Sequence, residues 1–265
     1  MSSFPFRLYD SFGARPGEGN PAAVLLLDDW LADGELAAIA QELNAWTAVV
    51  VAEPGRWRVR VFSIPPIVES ALCGHGLLAV ARRLFDGPAA GKARIELATR
   101  DGSVFAAPRE GGAVLDFPAI PVAPAEAPPF AAAFGGRPTG WWRRVQGYPA
   151  WIALYETAAE LAALPADPHA LRAVEALVLA TAPDQSGEAE IASRLFQPMK
   201  SLIEDPAGGT QHALAAPFWA NRLGRPTVRC RSASPRGGRA LCSVTGERLL
   251  IDAPVTLSAE GVLFR

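Results

Sequence analysis

One pattern occurs twice in this chain, and few folds can accommodate it. In the first half, Arg60-Val61-Phe62 reads as the end of a strand, and Pro65 comes soon after it. Glu69 then precedes Gly74-His75 at the mouth of an apolar run ending near Phe85. In the second half, Arg194-Leu195-Phe196 is succeeded by Pro198, then by Glu204 and Gly209-Thr210, and by an apolar run ending near Leu223. Both copies place Glu-x-x-x-x-Gly-[His/Thr] between a β-rich run and a helix-forming one, which points to a duplicated architecture. Two like halves would each bring one helix N-terminus to a shared cleft.

The second copy carries more chemistry. Pro206 pushes Asp205 towards extended geometry. Gly208 and Gly209 let the backbone turn tightly, and Thr210 is placed to start the next helix. The free N–H groups of such a helix start carry about half a positive charge, enough to hold an anion. A carboxylate beside a held anion could move a proton. The plainer reading of the same residues is a capped helix after a loop, with Asp205 and Thr210 only satisfying amides.

The chain of 265 residues can form one large domain or two of about 100–150 residues each. Half of the residues are hydrophobic and a fifth are charged, as in ordinary globular proteins. A formal charge of −2 argues against nucleic acid as a main partner. The arginines at 222, 225, 229, 231, 236 and 239 read as a solvated face rather than a phosphate groove. No apolar run approaches the ~20 residues needed to span a bilayer, so no membrane partner is expected. With no signal-type start and three sparse cysteines, Cys73, Cys230 and Cys242, a cytoplasmic protein with reduced thiols is expected.

Two phosphate-loop look-alikes fail on context. Gly17-Glu18-Gly19-Asn20-Pro21-Ala22 fits G-x-G-x-x-A, but Pro21 and a strand stand where the dinucleotide fingerprint needs a helix. Gly87 to Lys92 lacks the spacing and the Ser/Thr of a phosphate loop. Helical spacing runs from Asp33, a plausible cap, to Leu43. Strands are expected at 4–9, 22–27, 47–52, 56–62, 93–98, 102–107 and 113–117, then at 142–146, 151–155, 174–181 and 188–196, with a short helix near 158–164. Prolines at 118, 121, 124, 128, 129 and 138 mark a connecting segment, giving an N-terminal lobe over 1–118 and a C-terminal lobe over 119–265. The tail reads as strands broken at Pro235 to Gly238, Thr245 to Glu247 and Ala259 to Gly261. A long apolar helix among so many strands would sit inside a curled sheet.

These residues resemble the PhzF-like (phenazine-biosynthesis) isomerase family, which shares its fold with diaminopimelate epimerases. The likeness covers nearly the whole chain. It rests on Gly19-Asn20-Pro21, Cys73-Gly74-His75, Glu204-Asp205-Pro206 with Gly209-Thr210, and Ala233-Ser234-Pro235-Arg236-Gly237-Gly238. It implies an α+β fold of two pseudo-symmetric lobes, each a barrel-like, mostly antiparallel sheet around a central helix, with the active site between them. It implies enzymes that need no cofactor, are often homodimers, and move protons on small carboxylate-bearing molecules.

Two departures from the family's pattern stand out. Its catalytic Glu lies in an Asn-x-x-Glu-Thr-type run, which here is Asn44-Ala45-Trp46-Thr47, so Trp46 takes the acid's place. Indole has no proton to exchange near neutral pH; it can fill space, stack on an aromatic ligand or shut the pocket. Gly76 stands where the family often has Ala, and Gly208 stands where a second cysteine would match Cys73, which argues against a two-cysteine racemase.

The resulting candidate site has Asp205 and His75 as catalytic residues. Asn20, Trp46, Cys73, Gly74, Gly76, Gly209 and Thr210 contact the substrate. Glu42 is weighed as a substitute acid against an outer helix face, Cys73 as a nucleophile against a packing thiol, and His75 as a donor against a turn residue. His169 and His212 are too scattered to suggest a metal. The first reading is a proton-moving isomerase of a small carboxylate. The others are a repurposed lyase or cyclase of secondary metabolism, and a small-molecule-binding homologue that has lost its chemistry.

Overall fold

The computed structural model of the chain describes residues 2–165, 171, 174–198 and 203–265. By its internal contacts the chain divides into two compact units, Met1–Phe117 with Asp252–Arg265, and Pro118–Ile251. Both are sheet-rich with few helices, an α+β fold.

The first unit runs β1 (Ser3–Ser11), β2 (Asn20–Leu27), α1 (Asp33–Leu43), β3 (Trp46–Glu53), β4 (Arg56–Phe62), the two-residue β5 (Glu69–Ser70), α2 (Gly74–Phe85), β6 (Ile95–Thr99), β7 (Gly102–Arg109) and β8 (Gly112–Pro118). β1 and β2 are antiparallel, β2 and β3 parallel, and β3 and β4 antiparallel. β4 then takes β5 antiparallel and β6 parallel before β7 and β8 fold back. α2 packs on β1, β2, β3 and β7 and is buried from Gly74 through Ala81. A helix apolar on every side can be stable only when it is enclosed, and here the curled sheet encloses it. Each fully buried Leu of α2 contributes about 1.5–3 kcal/mol. α1 presents Leu36, Ile39 and Ala40 to β3, whose apolar run Thr47–Val51 is therefore covered by helices.

The second unit repeats this order. It runs β9 (Val122–Ala125), a 3₁₀ turn (Ala131–Phe134), β10 (Gly140–Arg144), β11 (Ala150–Leu154), α3 (Ala158–Ala163), β12 (Leu177–Pro183), β13 (Ile191–Phe196), β14 (Glu204–Asp205), α4 (Gly209–Leu223), β15 (Thr227–Ser232), β16 (Arg239–Thr245) and the start of β17 (Arg248–Phe264), whose residues from Asp252 on belong to the first unit. β10 and β11 are antiparallel, β11 and β12 parallel, and β12 and β13 antiparallel. β13 takes β14 antiparallel and β15 parallel. The enclosed helix is α4, packed on β12, β13, β15 and β16. Pro217 lies inside it and has no N–H to give to the Ala213 carbonyl, which instead accepts from Ile120 N at 3.0 Å.

Three expectations change. Asp33 does not cap α1: Ala32 holds that position, its N–H bonded to Glu35 Oε2 at 3.3 Å, while Asp33 accepts from Arg60 at 2.8 Å. The proline-rich segment, read only as a connection, also holds a strand: β9 pairs with β10. Nor does the tail break at Ala259–Gly261: β17 runs straight through, pairing Gly261 with Phe6. A Cβ at 261 would lie 3.0 Å from the Phe6 ring, so this glycine makes room for a cross-strand aromatic and marks no turn.

Candidate active site

The duplicated glutamates are structural. Arg60 Nη2 donates to Glu69 Oε2 at 2.6 Å, and Arg194 donates through Nε and Nη2 to the two oxygens of Glu204, both at 2.7 Å. Each arginine also lies over the phenylalanine two residues on, Phe62 at 5.3 Å and Phe196 at 5.0 Å to the ring centre. Each pair ties a two-residue strand to the strand before it. The few residues between the glutamate and the enclosed helix are thereby held on a short leash at the helix start.

In the first unit that leash leads to Ser70 and then to the Cys73–Gly76 turn. Cys73 occupies the N-cap of α2 in extended geometry and makes no side-chain cap. Its Sγ lies 3.5 Å from His75 Nδ1, and both side chains are buried. Trp46, the first residue of β3, sets its ring edge-to-face with His75, the centres 5.1 Å apart. It arrives there because its register partner is Ala22 on β2. Asn20, buried at the start of β2, pairs in register with Ser11, whose hydroxyl donates to the His75 carbonyl at 2.7 Å. Gly76 has no room for a side chain without movement: a Cβ would stand 3.2 Å from Cys73 Sγ and from Val61. Asn20, Trp46, Cys73, Gly74, His75 and Gly76 thus belong to one neighbourhood of this unit.

In the second unit the leash leads to Asp205. The N-cap of α4 is Gly208, not Thr210, which lies in the helix's first turn; Gly208 offers no side-chain cap. The Asp205 carboxylate lies beside this residue, its Oδ2 2.7 Å from where a Cβ of residue 208 would stand. Ser232 and Ser234 both donate to the Pro206 carbonyl, at 2.5 and 2.6 Å. This is where the Ala233–Gly238 turn acts. The Gly208 carbonyl accepts from His212 N at 3.2 Å and from His212 Nδ1 at 2.8 Å, which fixes that ring as the Nδ1–H tautomer. Complete burial pushes the His212 pKa down to about 4, so the ring is neutral near pH 7. Asp205, Gly209 and Thr210 share this neighbourhood.

Several residues stand apart from both neighbourhoods. Glu42 lies on the exposed face of α1. Cys230 and Cys242 are buried on β15 and β16. His169 lies outside the described residues. Among the described residues, no group of three or more His, Cys, Asp or Glu side chains is placed to hold a metal ion. No described helix is long and apolar enough to cross a membrane. Ser11 and Ser232 carried no sequence signal, because a lone serine in a strand is silent about its partner; Ser234 lay in the Ala233–Gly238 motif. The repeat marked the Arg and Glu positions without showing that they pair.

Comparison with known proteins agrees with this architecture. Residues 9–128 match the PhzC-PhzF family model, described as phenazine biosynthesis-like protein. An uncharacterized isomerase of Pseudomonas aeruginosa is 36% identical over 97% of this chain and 97% of its own length. Phenazine biosynthesis-like domain-containing protein 2 of Mus musculus is 29% identical, with 98% of each chain covered. The crystal structure of a PhzF-family phenazine biosynthesis protein from Enterococcus faecalis superposes with a TM-score of 0.91 at 30% identity, covering all of both chains.

Proposed function

This chain belongs to the phenazine biosynthesis-like family, whose enzymes are of isomerase type, and from that premise we propose that it is an isomerase that moves a proton on a small carboxylate-bearing substrate. The observation that carries the reading is the Asp205 carboxylate lying beside Gly208, the residue that opens α4. Asp205 takes a proton from a carbon next to the substrate's carboxylate or conjugated system. The electron pair left behind spreads into that system, stabilised by N–H groups at a helix start and by donors such as His75 and Asn20. Asp205 then returns the proton to a different atom of the same molecule. One group that takes and gives back the proton is sufficient, which accommodates an indole at position 46. Substrate and product share one oxidation state, so the step calls for no redox cofactor.

The test is deuterium incorporation from D₂O, monitored by ¹H NMR, into a panel of α-amino acids, hydroxy acids and unsaturated carboxylates. Exchange into at least one of them by the wild-type chain, reduced about 10²–10⁴-fold in Asp205→Asn, is the expected result. A second reading is favoured by Trp46 itself: a binding protein that keeps the turns and has lost the chemistry. It expects a panel carboxylate to bind without exchange, with affinity barely changed in Asp205→Asn.

A further inference from the structure

The segment from Glu204 to Gly208 is fixed at every second residue by a side chain from elsewhere in its unit. Arg194 grips Glu204, Ser232 and Ser234 grip the Pro206 carbonyl, and His212 grips the Gly208 carbonyl. The main chain alone holds it weakly, since β14 pairs with β13 over only two residues. The Arg194 contact is the most elaborate. Besides the two bonds to Glu204, its Nη1 donates to the carbonyls of Leu161 and Leu164 at 2.7 and 2.9 Å, where α3 ends. The Arg194 and Glu204 side chains are 7% and 12% exposed. Replacing such a buried ion pair by an apolar pair of similar volume is often neutral for stability, so its presence is weak evidence of a stabilising role. A fork with four fixed partners specifies position instead.

We propose that the Arg194–Glu204 pair is a positioning device for the Asp205 carboxylate, setting the residue after Glu204 at the start of α4. Its consequence for turnover rests on the reading of Asp205 as the proton carrier. The pair touches no substrate and acts only through its neighbour. A displacement of about 1 Å at a reacting group can cost on the order of 10²-fold in rate, so the fork matters more than the charge.

The experiment uses the full chain with ¹³C-labelled aspartate carboxyls, the Asp205 signal assigned by its loss in Asp205→Asn. Arg194→Lys keeps the charge and loses the fork; Glu204→Gln is a second, milder variant should the lysine variant fail to fold. Arg60→Lys, which breaks the like pair of the first unit, is the control. Positioning is supported if Arg194→Lys or Glu204→Gln moves the titration midpoint of the Asp205 signal while Arg60→Lys leaves it in place. In the exchange assay the same variants then lose about 10- to 100-fold in kcat with KM little changed. A titration curve and an exchange rate both unmoved in folded Arg194→Lys and Glu204→Gln overturn it. A moved midpoint with no exchange by any chain, wild type included, supports the positioning and removes the proton-transfer reading instead.

Discussion

In the first unit Phe62 pairs with Glu69 and Val61 with Ser70; in the second Phe196 pairs with Glu204 and Leu195 with Asp205. The strand, the glutamate and the arginine that grips it recur at the same register. The next residue does not: Ser70, bonded to the nearby Leu72 carbonyl at 3.2 Å, stands where the second unit has an acid. The divergence continues into the helices, with Cys73 opposite Gly208, His75 opposite Thr210 and Leu77 opposite His212. The repeated part is the scaffold that aims a helix start. The unrepeated part is the set of groups able to move or donate a proton, and it is spread unevenly between the halves. A carboxylate and a buried neutral imidazole sit in one, and an imidazole and a thiol sit in the other, beside an indole that has no proton to exchange.

The largest expected difference between the halves is in their ion pairs. Glu204→Ala leaves Arg194 buried without its carboxylate and is expected to cost about 3–5 kcal/mol in urea unfolding. Glu69→Ala is expected to cost about 1 kcal/mol or less, because Arg60 and Glu69 are 21% and 22% exposed and Arg60 keeps Asp33. Equal losses would show that the two pairs do the same job.

Next in size is an acid sensitivity arising from His212 in the second unit. The folded-state pKa of His212, about 4, lies below its ordinary 6.5. Between those values the unfolded chain binds a proton that the folded chain refuses. His212 therefore imposes no penalty above pH 6.5, and stability falls as pH drops towards 4, by on the order of 3 kcal/mol. His212→Leu, which copies Leu77, is expected to flatten that part of the stability–pH curve. It also loses the bond to the Gly208 carbonyl, at about 1 kcal/mol. Urea midpoints at pH 7, 5.5 and 4 check both effects, and an unchanged slope in the variant would assign the acid sensitivity to other groups.

The sequence showed the enclosed helices and most strands plainly, because periodicity and glycine or proline punctuation are local. Gly74–Phe85 begins and ends as its pattern indicates, and Arg56–Phe62 likewise. What it concealed depends on partners far along the chain. Gly261 reads as a turn until Phe6 is seen against it, and Thr210 reads as a cap until Asp205 is seen beside Gly208. The repeat named Arg194 and Glu204 without showing that they bind each other. In the candidate site, Cys73 and His75 are neighbours by sequence alone, but Trp46 meets His75 only through the parallel register of β2 and β3. Register is set by packing across a whole sheet, which no window of residues contains.

The finest contrast is between two glycines, each part of a glycine turn at the start of an enclosed helix. Gly208 has φ −147° and ψ 159°, a conformation open to any residue, so an alanine there strains no backbone. What it meets is Asp205: the added Cβ falls 2.7 Å from Oδ2, and the carboxylate must move. At Gly76 the added Cβ falls 3.2 Å from Cys73 Sγ and Val61, a gap that a few tenths of an ångström of adjustment relieves. If the acid's placement is what the second unit is built to secure, Gly208→Ala lowers the deuterium-exchange kcat about 10- to 100-fold with the fold retained. Gly76→Ala then changes it only a few-fold, about the effect of a small shift in packing. Circular dichroism and the exchange assay on both variants decide the matter. A larger loss at Gly76 would move the centre of the chemistry to the Cys73–His75 pair of the first unit and leave Asp205 a helix cap.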